Sequence, residues 1–393
     1  MRRRLDGVVA VAGLLALGLP ATASAAPPAQ GQCATPLGTY TGAVPWGQRL
    51  IDPARIWPLT RGEKQVVAVV GTGVDGQNPQ LRGQLTGGGD AASDCDGRGT
   101  IAAGIVAAQP DPSTTFAGIA PAARILPIRY TTGGGSTEGG DPKALASAID
   151  QAVQKGAGVI LVAVPSTSDS PELAAAVDRA RGKGAVVVSP AAATQQGGRT
   201  YPTATPGTLA VGSVNVAGEP AQTEAGDYLG IAAPGADLVS TSAGTGGGHR
   251  WGITNPGLAA AYVAGVAALV RAYQPDLTGD QVVTRLLLTA HRPSSGGRDP
   301  RRGWGVVDAY AAVSSALPAD VTGPGVAGKP ASLPAVIPAA SDARPRADRV
   351  AGVLALAGVG AAVTAGFAVA AFRRGRRRSW RPSRFAPSRE ISS

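Results

Sequence analysis

Histidine and cysteine are almost absent from this chain of 393 residues, which holds two of each and a single Met. The scarcity confines imidazole-based proton transfer to His249 and His291. Neither sits in a motif that would aim it at a reacting group. His249 falls in a Gly-rich stretch, His291 follows a helical segment, and a surface or capping role is the plain reading of each. No metal-ligand spacing is present, so neither a metal nor a cofactor is expected. Internal repeats are also lacking. Acidic residues are outnumbered 26 to 36 by Lys and Arg, for a net charge of +10. That excess sits at the two ends: the tail after Phe372 carries eight Arg against one Glu, and Met1–Asp6 carries three Arg against one Asp. The rest is nearly neutral, which argues against a nucleic-acid surface.

Long apolar runs occur twice outside the folded part. Residues 1–25 read as a secretory signal: Arg2, Arg3 and Arg4, then the apolar Val8–Leu19, then Ala23-Ser24-Ala25 as a small-residue cleavage site. An uncleaved anchor is the other reading of that segment. Val350–Phe372 is 23 residues without a charge and is followed at once by five Arg within six residues. It is long enough to span about 30 Å of hydrocarbon, and the basic flank places the tail 373–393 in the cytoplasm and the preceding chain outside. A buried core helix is the competing reading; its usual length and this flank disfavour it. In an oxidising exterior Cys33 and Cys95 are expected to pair, closing a loop of about 60 residues worth roughly 4 kcal/mol in the chain-entropy model. Two buried thiols remain the alternative. Residues 318–348, rich in Pro, Ala and Gly, read as a tether.

Between these ends, apolar β-branched runs alternate with helical patterns. Strands are expected at 65–70, 124–129, 158–163, 185–189 and 208–213, and helices at 100–108, 142–155, 171–183 and 279–290. Continuous apolar strands alternating with helices imply an α/β, doubly wound, mostly parallel sheet with helices on both faces. Gly71-Thr72-Gly73-Val74-Asp75-Gly76 matches a dinucleotide fingerprint directly after a strand. Asn78-Pro79 follows where a helix should run, and an exported chain is not normally supplied with nicotinamide cofactors, so that reading is set aside.

The most informative stretch is Gly252–Tyr273. Pro256 suits a first helical position, and Leu258–Val270 is small or apolar all round, as a core helix requires. Leu258-Ala-Ala-Ala-Tyr262-Val-Ala-Gly265 resembles the helix of subtilisin-like serine proteases that begins Gly-Thr-Ser-Phe-Ala-Ala-Pro-Tyr-Val-Ala-Gly. The resemblance extends, in order, through Val67–Val74 (a strand leading to Asp-Thr-Gly-Val), Asp94–Thr100 (Asp-Gly-His-Gly-Thr), Ala117–Pro121, Tyr201-Pro202, Ile231–Gly235 and Gly303–Ala309. It implies the subtilisin-like fold for residues 65–317, with 26–64 wrapping it as an N-terminal extension.

The same register vacates the chemistry. In that family Ser attacks, His takes the proton and Asp orients the His. Those positions fall on Gly257, Arg98 and Gly71, and the oxyanion Asn is absent from Ala191-Ala192-Ala193-Thr194, its place falling near Ala193. Glycine has no group to offer, and a guanidinium stays protonated at workable pH. No catalytic residues are therefore expected. Thr254 is the nearest hydroxyl, three residues early and in the turn, Asp75 is on the wrong side of its own loop, and a surface or capping role is the plain reading of each. Arg98 has two readings, a solvated surface Arg or a cation paired with Asp96 or with a partner's carboxylate. The family's substrate-pairing strand should coincide with Ala163-Val164-Pro165, where Pro165 lacks a donor.

Signal segment, Cys-bearing extension, tether, single membrane helix and short basic tail together resemble the mycosin group, membrane-anchored proteases of type VII secretion systems. That resemblance implies type VII membrane components as partners. The expectation is an inactive, membrane-anchored homologue that stabilises or caps the extracytoplasmic side of a secretion complex. Two alternatives are a module whose vacated cleft holds a peptide or an active mycosin paralogue, and a working endopeptidase with displaced residues.

Overall fold

Apolar, β-branched runs leave a chain no choice but to pair strands with both faces covered. In the computed structural model six of them do so: β1 (Val66–Gly71), β2 (Arg124–Arg129), β3 (Val159–Val162), β4 (Val186–Pro190), β5 (Leu209–Val214) and β6 (Leu229–Pro234). They form one parallel sheet in the order β2-β1-β3-β4-β5-β6. The structure describes residues 33–318 except 134–139, 193–197, 245 and 294–295. All of these fall in the first of the two units into which the chain divides, Met1–Lys329. The stretches read from the sequence as signal (1–25), membrane helix (350–372) and tail (373–393), and most of the one read as tether (318–348), lie outside the described residues.

Strand periodicity sorts the side chains into two cores. Ala68, Val70, Ile128, Ile160 and Val162 pack with α4 (Pro142–Gln154) and α5 (Pro171–Gly182). Val67, Val69, Ile125, Val159 and Leu161 face the other way, onto α3 (Arg98–Ala107), α6 (Pro256–Tyr273) and α7 (Gly279–Thr289). A last short helix, α8 (Ala309–Ser314), closes against α6 and α7. Every residue of α6 from Gly257 to Val270 is buried. It is the only helix among the described residues long and apolar enough to cross a membrane, and it is the core helix instead. Its small residues set how near its neighbours come: a Cβ on Gly265 would sit 2.9 Å from Ile119 Cβ.

The extension is held along its length. Cys33 is bonded to Cys95, with Cα atoms 4.4 Å apart, so the thiol alternative is excluded. Leu37–Gly38 pairs with His249. Two short helices follow, α1 (Trp46–Ile51) and α2 (Pro53–Ile56). The Trp46 indole N–H donates to the Ala236 carbonyl at 3.0 Å.

One feature agrees with the sequence reading and one departs from it. No helix follows Gly76; the chain turns through residues 76–84, as the proline at 79 demanded. By contrast, His249 is not in a loop. It opens β8 (His249–Ile253), which pairs antiparallel with β7 (Leu238–Thr241), and it is 4 % exposed. The glycines at 246–248, all at positive φ, form the turn of this hairpin and hid its second strand from a composition reading.

Burial is not wholly apolar. Glu224 is buried and accepts from the Thr200 amide (3.0 Å) and hydroxyl (2.9 Å), tying two loops beyond the carboxyl ends of β4 and β5. Burial pushes its carboxyl up to about 7, the hydrogen bonds opposing only in part. The folded state thus keeps a proton that the unfolded chain releases near the ordinary carboxylate range. Glu224 should make the protein lose stability as pH rises from about 4.5 to about 7, and Glu224→Gln should flatten that part of the curve in chemical denaturation. A Cys33→Ser/Cys95→Ser pair should lower unfolding free energy by up to about 4 kcal/mol, read by the same titration at fixed pH.

Candidate functional site

In an open parallel sheet the crevice lies beyond the carboxyl ends of the strands, where the strand order reverses. Here β1 is followed by β2 on one side and then by β3 on the other, so the crevice opens beside Gly71, the last residue of β1, and Ala163, just after β3. The amino ends of α3 and α6 enter the same region, and they carry the other two positions singled out in the sequence.

The start of α3 is fixed from below. Asp94 is buried and accepts from the Gly97 amide (2.9 Å), the Thr100 amide (2.9 Å) and the Thr100 hydroxyl (2.7 Å). It thereby satisfies amides the helix leaves unpaired. Burial raises its carboxyl above the usual range despite these donors. The Gly99 amide donates to Thr72 Oγ1 at 3.1 Å, and a Cβ on Gly99 would fall 1.9 Å from the Gly73 carbonyl oxygen. No side chain fits at 99, so α3 meets the loop after β1 backbone to backbone.

Arg98 occupies the first position of α3. Its Nε lies 2.6 Å from Asp96 Oδ1 and its Nη2 3.1 Å from Asp96 Oδ2. The two side chains are 25 % and 14 % exposed. Arg98 is therefore not a solvated surface residue. It is a half-buried cation in a two-point bond with its own loop, the geometry that a planar guanidinium favours.

Gly257 is the second residue of α6, after Pro256 and the N-cap Asn255. Asn255 Oδ1 accepts the Gly257 amide at 2.7 Å. A Cβ at 257 would lie 2.9 Å from the Ala163 carbonyl oxygen and 3.0 Å from Asn255 Oδ1. The position is closed by main chain on one side and by the cap on the other. At Gly71 the same segment intrudes: a Cβ there would sit 3.3 Å from Ala163 Cβ and 3.6 Å from Val164 Cγ2. Gly71 and Gly257 thus face one common neighbour, Ala163.

The segment after β3 already uses part of the main chain that a visiting strand would need. The Ala163 amide donates to Val70 O, the Val164 carbonyl accepts the Tyr130 hydroxyl at 2.6 Å, Pro165 has no N–H, and Ser166 pairs with Tyr201 through both its amide and its carbonyl. Burial pushes the Tyr130 phenol up to about 12, so it stays a donor.

The proposed substitutes are engaged elsewhere. His249 bonds Gln80 and the Tyr40 amide, and the exposed His291 lies 3.2 Å from Asp308. Thr254 Oγ1 accepts the Asp237 amide. Asp75 takes the Gln77 and Gly244 amides on its two oxygens. Ala191 hydrogen-bonds Val211, whereas Ala193 and Thr194 lie outside the described residues. Among the described residues no group of three or more His, Cys, Asp or Glu is placed to hold a metal. The sequence reading missed Asn255 as a cap, although Asn-Pro before an apolar helix signals one. It also missed Tyr130 and the Ala163 carbonyl, which only the fold brings to the site.

Residues 62–305 match the Subtilase family. Mycosin-3 of Mycobacterium tuberculosis is 34 % identical over 402 residues, covering 86 % of each chain. The MycP3 protease from the type VII (ESX-3) secretion system superposes with a TM-score of 0.62 at 33 % identity, over 73 % of this chain and 93 % of that one. A chain of an intact ESX-5 inner membrane complex superposes with a TM-score of 0.62 at 27 % identity, over 86 % of this chain and 94 % of the other. Sheet order, core helix and these likenesses agree, and the chain belongs to the subtilase family, in its mycosin group.

Proposed function

We propose that this protein is a proteolytically inactive mycosin that serves as a membrane-anchored structural component on the extracytoplasmic side of a type VII secretion complex. The carrying observation is the closure at Gly257. The Cβ of a nucleophile there would press on the Ala163 carbonyl oxygen at 2.9 Å and on Asn255 Oδ1 at 3.0 Å, closer than ordinary contact. The 257 amide, a backbone donor that acyl-transfer enzymes aim at the oxyanion, is used by Asn255 instead. Arg98 cannot accept a proton, and Gly71 has no carboxylate to orient a base.

The structural role is what such a loss leaves. The family relatives include a chain from an ESX-5 inner membrane complex, and the run 350–372 supplies the anchor in this reading, with the tail 373–393 inside. Partners are then type VII membrane components. A peptide-holding cleft is less favoured, because the Ala163 amide, the Val164 carbonyl and both main-chain groups of Ser166 are bonded within the fold and Pro165 has no N–H to offer.

Gly257→Ser should restore no cleavage of peptide or denatured-protein substrates, and it should lower stability by about 1–3 kcal/mol, the usual range for overpacking. Cleavage above the wild-type background would show the site to be less closed than argued. In cells, deleting the gene should disrupt the assembly or its export. The Gly257→Ala variant should complement as well as wild type wherever it accumulates to the same level, since no reaction is being lost.

A further inference from the structure

The extension crosses the domain as a strap between the Cys33–Cys95 bond and α1, and its middle is held by one titratable side chain. We propose that His249 is a proton-operated latch on this strap: the neutral ring holds residues 37–40 against the hairpin, and a second ring proton releases them.

The hydrogen bonds around the ring allow only one neutral form. Gln80 Nε2 donates to the Gln109 and Phe116 carbonyls, at 2.6 and 2.9 Å. Its Oε1 is therefore the atom turned to the ring, 2.6 Å from His249 Nε2, and Nε2 must carry the proton. Nδ1 is left as a lone pair, and it accepts the Tyr40 amide at 3.1 Å. Adding a proton at Nδ1 points two donors at each other across that bond. The neighbouring main-chain bonds, Leu37 N–H to His249 O and His249 N–H to Gly38 O, lie in the same few residues and share its fate.

The surroundings favour the neutral ring. From the strap the ring meets the Tyr40 amide and the Gly38 carbonyl, while the Tyr40 hydroxyl is turned away to Ala43. The turn at 77–82 presents the uncharged Gln80. The segment 109–116 presents the Phe116 ring edge, with centroids 5.7 Å apart, and the Asp111 carboxylate. On its own strand, Arg250 is directed to the Thr35 carbonyl. Burial lowers the His249 pKa, and the Gly38 carbonyl and Asp111 oppose it less strongly. The unfolded or unlatched chain thus binds the proton more readily than the latched one. Latching is complete above the ordinary His range and is lost as pH falls below about 6.5. His291, exposed beside Asp308, has no such bonds to the strap.

The consequence is local. Trp46 remains tied to Ala236 and the disulfide remains closed, so acid frees the middle of the strap and not its ends. Tyr40 leaves Trp251, against which its ring packs at 5.8 Å, and residues 37–40 come free of the hairpin, while Gly42 stays bonded to Thr115. This holds whether or not the domain cleaves peptides.

Hydrogen exchange of the intact protein in detergent, expressed as protection factors between pH 7.5 and 5.0, tests it. Protection at Leu37, Tyr40 and His249 should fall about tenfold per pH unit below about 6.5, one proton being taken up on opening, while β1–β6 stay protected. His291→Gln should keep the dependence and His249→Gln should abolish it. If His249→Gln does not fold, the imidazole nitrogen signals of the wild type decide instead: a neutral ring protonated at Nε2 at pH 7, changing in step with the Tyr40 amide. Constant protection across the range, or loss spread evenly over the sheet, would overturn the proposal.

Discussion

The domain is built around the burial of α6, and α6 can be buried because its sequence is small. Fourteen consecutive residues, Gly257 to Val270, are inaccessible, and the helix packs against α3, four strands from β3 to β6, α7 and α8. Gly and Ala at most of these positions let backbones approach to distances that a larger side chain would forbid. Gly265 against Ile119 is one such contact, and Gly257 against the Ala163 carbonyl is another. The second matters most for function. In a hydrolase the start of this helix must leave room for a nucleophile and a free amide. Here the same packing that stabilises the core brings the Ala163 carbonyl oxygen to 2.9 Å from where a Cβ would stand.

The three expected triad positions are therefore unequal. Gly71 is tight but passable, since a Cβ there meets side-chain atoms at 3.3 and 3.6 Å and main chain only at 4.0 Å. Arg98 is paired to Asp96 and sits on a helix start secured by Asp94. Gly257 is crowded by a backbone carbonyl, that of Ala163, whose own amide is bonded to Val70. A scaffold role asks only that the crevice be stable, and each of these arrangements adds order to it. The polar cluster of Glu224 with Thr200, and the strap held at Cys33 and His249, serve the same end at the margins of the sheet.

The sheet was legible because its strands are continuous apolar runs and period 2 is robust to small errors; β1 to β5 fall within a residue or two of their expected limits. The buried helix was legible for the same reason, being apolar on every face. What was not legible depends on contacts between distant segments. His249 reads as a loop residue because three glycines precede it, yet its burial comes from Gln80, Phe116 and Tyr40, up to 209 positions away. Arg98 carries two readings in the sequence, a surface cation or a partner of Asp96, and the fold decides between them because both Asp96 oxygens meet it. That Gly257 lacks a hydroxyl is visible in the sequence; that a larger residue there would be crowded is a property of the fold, since Ala163 approaches from 94 residues upstream.

The account stands or falls on the absence of an activated nucleophile in the native protein. The most direct measurement is labelling of the intact, detergent-solubilised protein with a serine-directed fluorophosphonate, beside a heat-denatured control and an active mycosin. The account predicts signal from the active enzyme alone. Labelling of the native chain above its denatured control would contradict it.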